Sequence, residues 1–225
     1  MTPEQLTLEW EHRPALGVDD FLISSCNEQA VAKIDGFPNW NAPSLIIVGE
    51  QGCGKTHLIR VFQSMHGGTI LNPGDIKIDA IGGLDESPAF LVDDASDWVG
   101  NKDAEEILFH IYNRCFASGE KLLIAARSFP SRWTFLIPDL ASRLKASEVA
   151  EIGPPDDALL MAILAKLFAD RQVRVAPGVI EYVIPRIERS FSAIQTFVTD
   201  TDNMALKDKR QITIPLVRQV LTSIE

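Results

Sequence analysis

Cysteine is scarce in this sequence, and the spacing of the three that are present excludes two structural roles. Cys26, Cys53 and Cys115 are odd in number and form no CxxC pair. Such a set argues against a disulfide framework and against a structural zinc site, and it is typical of proteins whose thiols stay reduced. We therefore expect a cytoplasmic protein.

Basic residues and long apolar segments are also lacking. The chain has 21 lysines and arginines against 31 acids, which gives a formal net charge of −10. Because binding to DNA or anionic lipid by bulk charge needs clustered basic residues, we expect no strong direct DNA binding. The longest apolar stretch, residues 158–169, is interrupted by Lys166 and is too short to span a bilayer. Residues 1–11 contain acids and no base, unlike a signal peptide, so we expect no membrane association.

Short apolar runs alternate with helical patterns in the first two thirds of the sequence. The apolar runs predict buried strands at residues 44–48, 89–92 and 121–126, with weaker candidates at 68–71, 76–80 and 148–152. Helical patterns lie between them, at residues 24–34, 56–65 and 103–118. Strands that alternate with helices predict an α/β fold, with a mostly parallel sheet between two helical layers.

The composition changes at Gly153-Pro154-Pro155. Beyond this point helices fit and no strong strand does, and the helices are expected at about residues 156–172, 177–187, 190–205 and 215–224. We interpret residues 156–225 as a small all-α domain that is hinged at the two prolines.

A glycine-rich segment after the first apolar run predicts a phosphate-binding loop. Gly49-Glu50-Gln51-Gly52-Cys53-Gly54-Lys55-Thr56 matches the pattern G-x-x-x-x-G-K-[ST] at every fixed position. Glycines let backbone N–H groups point inward at phosphate oxygens, and the helix that follows offers its positive end. We therefore expect residues 50–57, including His57, to bind ADP or ATP, with Lys55 on the β/γ-phosphates and Thr56 on Mg²⁺. The alternative is a glycine turn that binds nothing.

Two acids follow the apolar run at residues 89–92. Because the ends of parallel strands meet at one edge of a sheet, Asp93 is expected to face Thr56 and to help hold Mg²⁺. Asp94 is then a candidate for orienting the attacking water in phosphate hydrolysis. The alternative for Asp94 is a structural role as the cap of a loop or helix.

Several motifs together resemble the DnaA family of AAA+ proteins, and within it the regulators of Hda type. They include Arg13-Pro14, Asp20-Phe21-Leu22-Ile23, the loop at 49–56, Val92-Asp93-Asp94 and Asp139-Leu140-Ala141-Ser142-Arg143-Leu144. The resemblance covers nearly the whole chain. It implies a P-loop NTPase core at residues 13–153, with three αβα layers, and a helical lid at 156–225. DnaA initiators carry a DNA-binding domain after the lid, and because this sequence ends at Glu225 we expect none here.

The N-terminal segment resembles the peptides that Hda-type proteins insert into the sliding clamp of DNA polymerase. Gln5-Leu6-Thr7-Leu8 is followed by Glu9-Trp10. In such a peptide, Leu6, Leu8 and Trp10 enter an apolar pocket while Gln5 hydrogen-bonds at its rim. The resemblance implies an extended clamp-binding arm at residues 1–12. The alternative is an arm that folds back on its own sheet.

Arg143 falls on the arginine-finger position of the family. The resemblance implies that it contacts the nucleotide of a neighbouring molecule and stabilises the charge on the transferred phosphoryl group. The alternative is an ion pair with Asp139 on the same helix.

The sequence departs from the family where hydrolysing members place polar sensors. Ala125 and Ala126 stand at the end of a strand that usually carries one, although Arg127 and Ser128 follow. In the lid, Ser192 is at the position of a sensor arginine, and Arg189 lies almost a turn earlier. We infer weak or no intrinsic ATP hydrolysis, with ADP as the resident nucleotide.

The resemblance implies a negative regulator of replication initiation. In that hypothesis the ADP-bound chain, together with the DNA-loaded sliding clamp, stimulates ATP hydrolysis by DnaA through Arg143. Two alternatives are a stand-alone P-loop ATPase in which Asp94 works as the catalytic residue, and a nucleotide-binding adaptor that recruits replication proteins. Self-association of the chain is left open.

Overall fold

Continuous apolar segments form the strands of this protein because both faces of its sheet are covered. The computed structural model describes residues 22–77, 81, 83, 86–176 and 178–224. Its strands are β1 (Ser44–Gly49), β2 (Thr69–Ile70), β3 (Ala89–Val92), β4 (Lys121–Ala126) and β5 (Glu148–Ile152). They form one parallel sheet in the order β2-β3-β4-β1-β5. This sheet confirms the predicted α/β fold class.

The described part of the chain contains eight α-helices. They are α1 (Glu28–Asp35), α2 (Lys55–His66), α3 (Lys102–Ser118), α4 (Pro138–Lys145), α5 (Asp157–Asp170), α6 (Val179–Val183), α7 (Phe191–Asp208) and α8 (Ile214–Ile224). Short polar side chains begin three of them: Asn101 caps α3, Asp156 caps α5 and Ser190 caps α7 by accepting backbone N–H bonds. None of the helices among the described residues has the length and apolar character that a membrane span needs.

The sheet separates two apolar clusters, which we name by what covers them. Leu45 and Ile47 of β1 point to the phosphate-loop face, which is covered by α1 and α2. Ile46 and Val48 point to the α3–α4 face, which is covered by those two helices. This alternation places the helix after the glycine-rich loop and the helix that carries Arg143 on opposite sides of the sheet.

Helices α5 to α8 form a separate bundle around their own apolar cluster. Leu159 of α5 and Phe191 of α7 instead pack into the cluster of the phosphate-loop face. At the connection, Ser25 Oγ donates to Asp156 Oδ2 at 2.9 Å, and Gly153 N donates to the carbonyl of Cys26 at 2.8 Å. The bundle therefore lies against the phosphate-loop face as a lid.

Apart from the helix expected at 24–34, which begins only at Glu28, two local predictions differ from the structure. Residues 76 and 77 are not in a strand, and residues 78–80, the rest of that weak candidate, lie outside the described residues. The predicted helix at 177–187 is the short α6 followed by a 3₁₀ turn, Ile184–Arg186. Pro185 accounts for the second difference because it has no N–H to continue an α-helical ladder.

Candidate functional site

The glycine-rich loop has a backbone that larger residues would obstruct. A Cβ on Gly49 would lie 2.6 Å from Cys53 Sγ and 3.1 Å from the side chain of Ile152. Gly52 and Gly54 have φ angles of 82° and 93°, in the left-handed region that favours glycine. Helix α2 begins at Lys55, immediately after Gly54. The segment thus forms a tight turn into a helix N-terminus, as its sequence pattern requires.

Lys55 folds back onto the loop that precedes it. Its Nζ donates to the carbonyls of Gly49 and Glu50 at 2.8 and 2.7 Å and lies 3.6 Å from Cys53 Sγ. Burial raises the pKa of the Cys53 thiol, and the nearby Lys55 charge only partly offsets this effect. Cys53 therefore acts as a small protonated packing residue, and Glu50 contributes its backbone.

A cavity of about 420 Å³ opens in front of the loop. Its lining includes most of the predicted site residues, namely Gln51, Gly52, Gly54, Lys55, Thr56, His57, Asp93 and Asp94. Three further side chains complete it: Arg60 of α2, Arg127 after β4 and Gln195 of α7. A neighbouring cavity of about 410 Å³ is lined on the lid side by apolar residues together with Lys166 and Asp170, and on the core side by residues that include Leu22, Asn27 and Cys53. The two cavities share Gly52, Gly54, His57 and Gln195, so they form one continuous cleft between core and lid.

Asp93 has the chemistry expected of a magnesium ligand. Its Oδ1 is buried and accepts no hydrogen bond from the described part of the chain. The Thr56 hydroxyl lines the same cavity, and both groups offer the oxygen ligands that Mg²⁺ prefers. No group of three His, Cys, Asp or Glu ligands occurs among the described residues. Mg²⁺ at this position would therefore share its coordination with phosphate and water oxygens, as it usually does.

Asp94 differs from Asp93 because both of its oxygens are used within the chain. Oδ1 accepts from Ser96 N at 2.9 Å and caps the 3₁₀ turn at Ala95–Asp97, and Oδ2 accepts from Arg127 Nη2 at 3.0 Å. Burial acts to raise the Asp94 pKa, but the hydrogen bonds from Ser96 and the charge of Arg127 outweigh it and lower the pKa. The capping role considered for Asp94 is therefore present in the structure.

Two lid residues, Gln195 and Phe191, lie close to the loop. A Cβ on Gly52 would lie 3.4 Å from the Gln195 side-chain amide and 3.4 Å from Phe191 Cβ. Ser192, which the resemblance placed at the sensor position, is exposed one turn earlier on α7. Arg189 Nη2 forms an exposed ion pair with Asp157 Oδ1 at 3.0 Å. The lid therefore presents a neutral amide to the loop.

Arg143 lies away from this cleft, on the α3–α4 face. Its guanidinium stands 5.1 Å from the ring centre of Phe109 and 5.5 Å from that of Tyr112, both on α3. No carboxylate among the described residues lies within ion-pair distance of it, so the proposed pairing with Asp139 is not formed. The side chain is partly buried by this stacking, not sealed inside the fold.

A buried acid connects α4 to α3. Glu105 is fully buried, and its carboxylate accepts from the backbone N–H groups of Gly100, Leu136 and Ile137 at 2.8 to 3.1 Å. These bonds hold the segment that leads into Pro138, where α4 begins. Glu105 thus fixes the start of the helix that carries Arg143.

Sequence reasoning missed several of these contacts. Gln195, Arg60 and Glu105 were not among the predicted site residues, and nothing local distinguishes them from other polar helix residues. Phe109 and Tyr112 did carry a signal, because residues three apart share a helix face. The predicted arm residues Gln5, Leu6, Leu8 and Trp10 lie outside the described residues.

Comparisons with known proteins agree with this architecture. Residues 157–221 match the family model of the Hda lid domain. An uncharacterized protein of Haemophilus influenzae is 27% identical over 80% of this chain and 81% of its own length. The chromosomal replication initiator protein DnaA of Magnetococcus marinus is 25% identical over 94% of this chain. The match covers 52% of the initiator, so the chain spans about half of that relative's length.

Solved structures show the same fold. Domain III of DnaA from Thermotoga maritima superposes with a TM-score of 0.72 at 18% identity, over 90% of this chain and 94% of the domain. AMPPCP-bound DnaA from Aquifex aeolicus gives a TM-score of 0.64 at 17% identity, over 83% of this chain and 65% of that one. Taken with the lid-domain match and the DnaA relatives, the parallel sheet and helical lid support a DnaA-like AAA+ protein of Hda type.

Proposed function

We propose that this protein is a negative regulator of DNA replication initiation that stimulates ATP hydrolysis by DnaA. In this proposal its own cleft holds ADP with Mg²⁺, its N-terminal arm binds the DNA-loaded sliding clamp, and Arg143 enters the nucleotide site of DnaA. The Hda lid match and the DnaA-like fold support a regulator related to DnaA.

The position of Arg143 carries the proposal. Among the described residues its guanidinium has no carboxylate partner and no hydrogen bond, while two aromatic rings hold the plane of the group. Stacking restricts the side chain without using its N–H donors, so those donors stay available for phosphate oxygens. Since Arg143 is absent from the lining of its own cleft, the phosphate it meets belongs to another molecule.

The chemistry asked of Arg143 is electrostatic. In DnaA, water attacks the γ-phosphorus of ATP, the bond from that phosphorus to the bridging oxygen breaks, and ADP and phosphate form. Negative charge spreads over the equatorial oxygens as this happens, and a guanidinium fork can donate two hydrogen bonds to them. Lysine presents a single point charge, so it is a poorer substitute at this position.

The chain's own cleft fits a nucleotide with a magnesium ion. Gly49 has no room for a side chain, Gly52 and Gly54 curl the loop, and Asp93 keeps a buried carboxylate oxygen unused by the described residues. In the nucleotide-bound protein, Lys55 would hold phosphate, and Thr56 and Asp93 would hold Mg²⁺. The nucleotide would supply a ligand between core and lid. We expect ADP, because Asp94 and the neutral Gln195 offer little help to hydrolysis.

The clamp contact rests on the sequence of the arm. Gln5, Leu6, Leu8 and Trp10 supply the amide and apolar groups that such a peptide needs. Tethering to a DNA-loaded clamp raises the local concentration of the chain, which suits a weak and transient contact with DnaA. Regulation would then follow the loading of clamps during replication.

A reconstituted assay tests whether Arg143 acts as an arginine finger on DnaA. DnaA loaded with ATP is incubated with DNA-loaded clamp and the chain, and the conversion of bound ATP to ADP is measured. Arg143→Ala should reduce the conversion to the level of DnaA alone. Lys145→Ala is the matched control, because Lys145 lies on the same helix and stands 5.9 Å from the ring of Phe135. Full stimulation by Arg143→Ala would reject the role of Arg143 as an arginine finger and would favour an adaptor that only recruits replication proteins.

ATP turnover by the purified chain distinguishes the proposed regulator from a stand-alone ATPase. Turnover of the chain without DnaA or clamp on the order of 1 s⁻¹ would be ordinary enzymatic activity and would contradict a purely regulatory role. We expect no such turnover, and we expect ADP to remain on the purified protein.

Clamp binding has its own test. Leu6→Ala with Leu8→Ala should abolish retention on immobilised clamp while ADP affinity is unchanged. Thr7→Ala, between the two leucines, is the control and should be retained. Undiminished retention of the double variant would reject the arm as the clamp-binding segment.

A further inference from the structure

The two acids that follow β3 are in different states. Asp93 keeps one buried oxygen with no partner among the described residues, whereas Asp94 has both oxygens engaged. Ser96 N engages one oxygen of Asp94, and Arg127, which follows β4, engages the other. Because β3 and β4 are adjacent parallel strands, the residues after them meet at one edge of the sheet.

Arg127 also faces the cleft. Its side chain lines the same cavity of about 420 Å³ as Lys55, Thr56 and both acids. The exposed fractions of the Arg127 and Asp94 side chains are 57% and 27%, so the ion pair lies at the mouth of the cavity. Ser96 N fixes the other oxygen of Asp94, which turns the carboxylate toward Arg127.

We propose that Arg127 silences hydrolysis in this chain's own site by holding the Asp94 carboxylate in an ion pair. A carboxylate that assists hydrolysis must orient the attacking water and accept its proton as the bond to the γ-phosphorus forms and the bond to the leaving ADP breaks. Each oxygen of Asp94 already accepts one hydrogen bond, and the positive charge of Arg127 makes the carboxylate a weaker acceptor for that proton. The inference rests on the proposed nucleotide site but not on the action of Arg143.

The pair is measured first in the nucleotide-free protein at neutral pH. The NMR chemical shift of the Asp94 carboxyl carbon is compared in wild type, Arg127→Ala and Arg127→Gln. Loss of the guanidinium, which lies 3.0 Å from Asp94 Oδ2, should move this shift in both variants. Arg210→Ala is the matched control, because Arg210 Nη2 pairs with Asp208 Oδ2 at 2.8 Å on the lid. A carboxyl shift that is the same in all four proteins would overturn the proposal.

Hydrolysis is then measured in single turnover by the purified chain without DnaA or clamp. We expect Arg127→Ala and Arg127→Gln to hydrolyse ATP about 2- to 5-fold faster than wild type, the range that an exposed ion pair can impose. Adding Asp94→Asn to Arg127→Ala should remove the gain. Slower hydrolysis, or weaker binding of ATP without faster hydrolysis, would overturn the proposal and make Arg127 a phosphate ligand.

Binding of ADP separates the two levels of inference. If wild type binds no ADP, the nucleotide site and the silencing role both fail. If wild type binds ADP and the Arg127 variants show no gain in hydrolysis, only the silencing role fails.

Discussion

The charged groups beside the phosphate loop and the guanidinium of Arg143, on opposite faces of the sheet, are held in different ways. On the phosphate-loop face, Lys55 binds the carbonyls of its own loop, and at the nearby sheet edge Asp94 binds Ser96 and Arg127. On the α3–α4 face, Arg143 rests on two aromatic rings with no acid nearby among the described residues. A charged group that is held in place but not neutralised is suited to a partner from outside. In the proposed function, the cleft would hold a ligand and the opposite face would act on another molecule.

The largest effect is expected where the α3–α4 face is held together. Glu105→Ala leaves three backbone N–H groups without their acceptor, so it should lower the free energy of unfolding by about 3 kcal/mol. Urea denaturation measures this cost. The neighbouring Glu106→Ala removes only a loose pair with Lys102 at 3.9 Å and should cost less than about 0.5 kcal/mol. Equal stability of the two variants would contradict the assigned role of Glu105.

Lys55→Ala should impair the nucleotide cleft on the phosphate-loop face. Losing a charged phosphate donor, worth about 2.8 kcal/mol, should weaken ADP binding roughly 100-fold by calorimetry. Arg143→Ala should bind ADP as wild type does, because Arg143 does not line the cleft. A comparable loss in both variants would mean that the two faces are not independent.

An ion pair at the C-terminal end of α3, between Arg114 and Glu120, makes the stability of the α3–α4 face depend on pH. Arg114 Nε and Nη2 donate to Glu120 at 2.8 and 2.9 Å. Burial acts to raise the Glu120 pKa, but the bonds from Arg114, Ser118 and Ser87 outweigh it and lower the pKa. The stabilisation is therefore complete above the ordinary glutamate pKa and is lost as pH falls through the lowered value.

Glu120→Gln tests this dependence. It should cost about 2 kcal/mol near neutral pH, because hydrogen bonds to a charged group are replaced by weaker ones. Below pH 4 the difference in free energy of unfolding between Glu120→Gln and wild type should become smaller. Thermal unfolding across this pH range checks both statements, and a difference that does not change with pH would show that Glu120 is not the titrating group.

The smallest effect is expected from removing one of the two rings that contact Arg143. Phe109→Leu keeps an apolar side chain but removes the ring, and loss of one cation–π contact should lower stimulation of DnaA about threefold. Phe109→Tyr should restore it. The NMR shifts of the Arg143 side chain in the free protein report the ring directly, independently of DnaA. Unaltered shifts in Phe109→Leu would show that the ring does not hold the guanidinium.

Much of this fold could be predicted because its signals are local. The apolar runs at residues 44–48, 89–92 and 121–126 correspond closely to β1, β3 and β4. Each is short and continuous, as strands buried on both faces must be. The glycine pattern at 49–56 likewise predicts its local structure, because the turn, the start of the helix and the lysine follow one another in sequence. The motifs also pointed to the DnaA-like AAA+ family, which the comparisons confirm.

The rest of the site depends on residues far apart in sequence. Gln195 lies near Gly52 only because the lid packs on the phosphate-loop face, and the placement of Ser192 at the sensor position stays a prediction. Arg127 meets Asp94 across 33 positions, and Glu105 meets Leu136 across 31. No local pattern encodes such pairs, because their partners are set by strand order and by how the helices pack. Side-chain contacts of this kind need the folded chain.

The rate of the chemical step in DnaA shows whether Arg143 acts on the reacting phosphate. ATP-loaded DnaA with DNA-loaded clamp is mixed with increasing concentrations of wild type, Arg143→Lys or Arg143→Ala, and hydrolysis is followed in a single turnover. An arginine that acts only on the reacting phosphate predicts a fall in the plateau rate, with lysine between arginine and alanine and with the half-saturating concentration unchanged. A plateau equal to wild type for Arg143→Ala, reached only at higher concentration, would contradict the account and make Arg143 a docking residue.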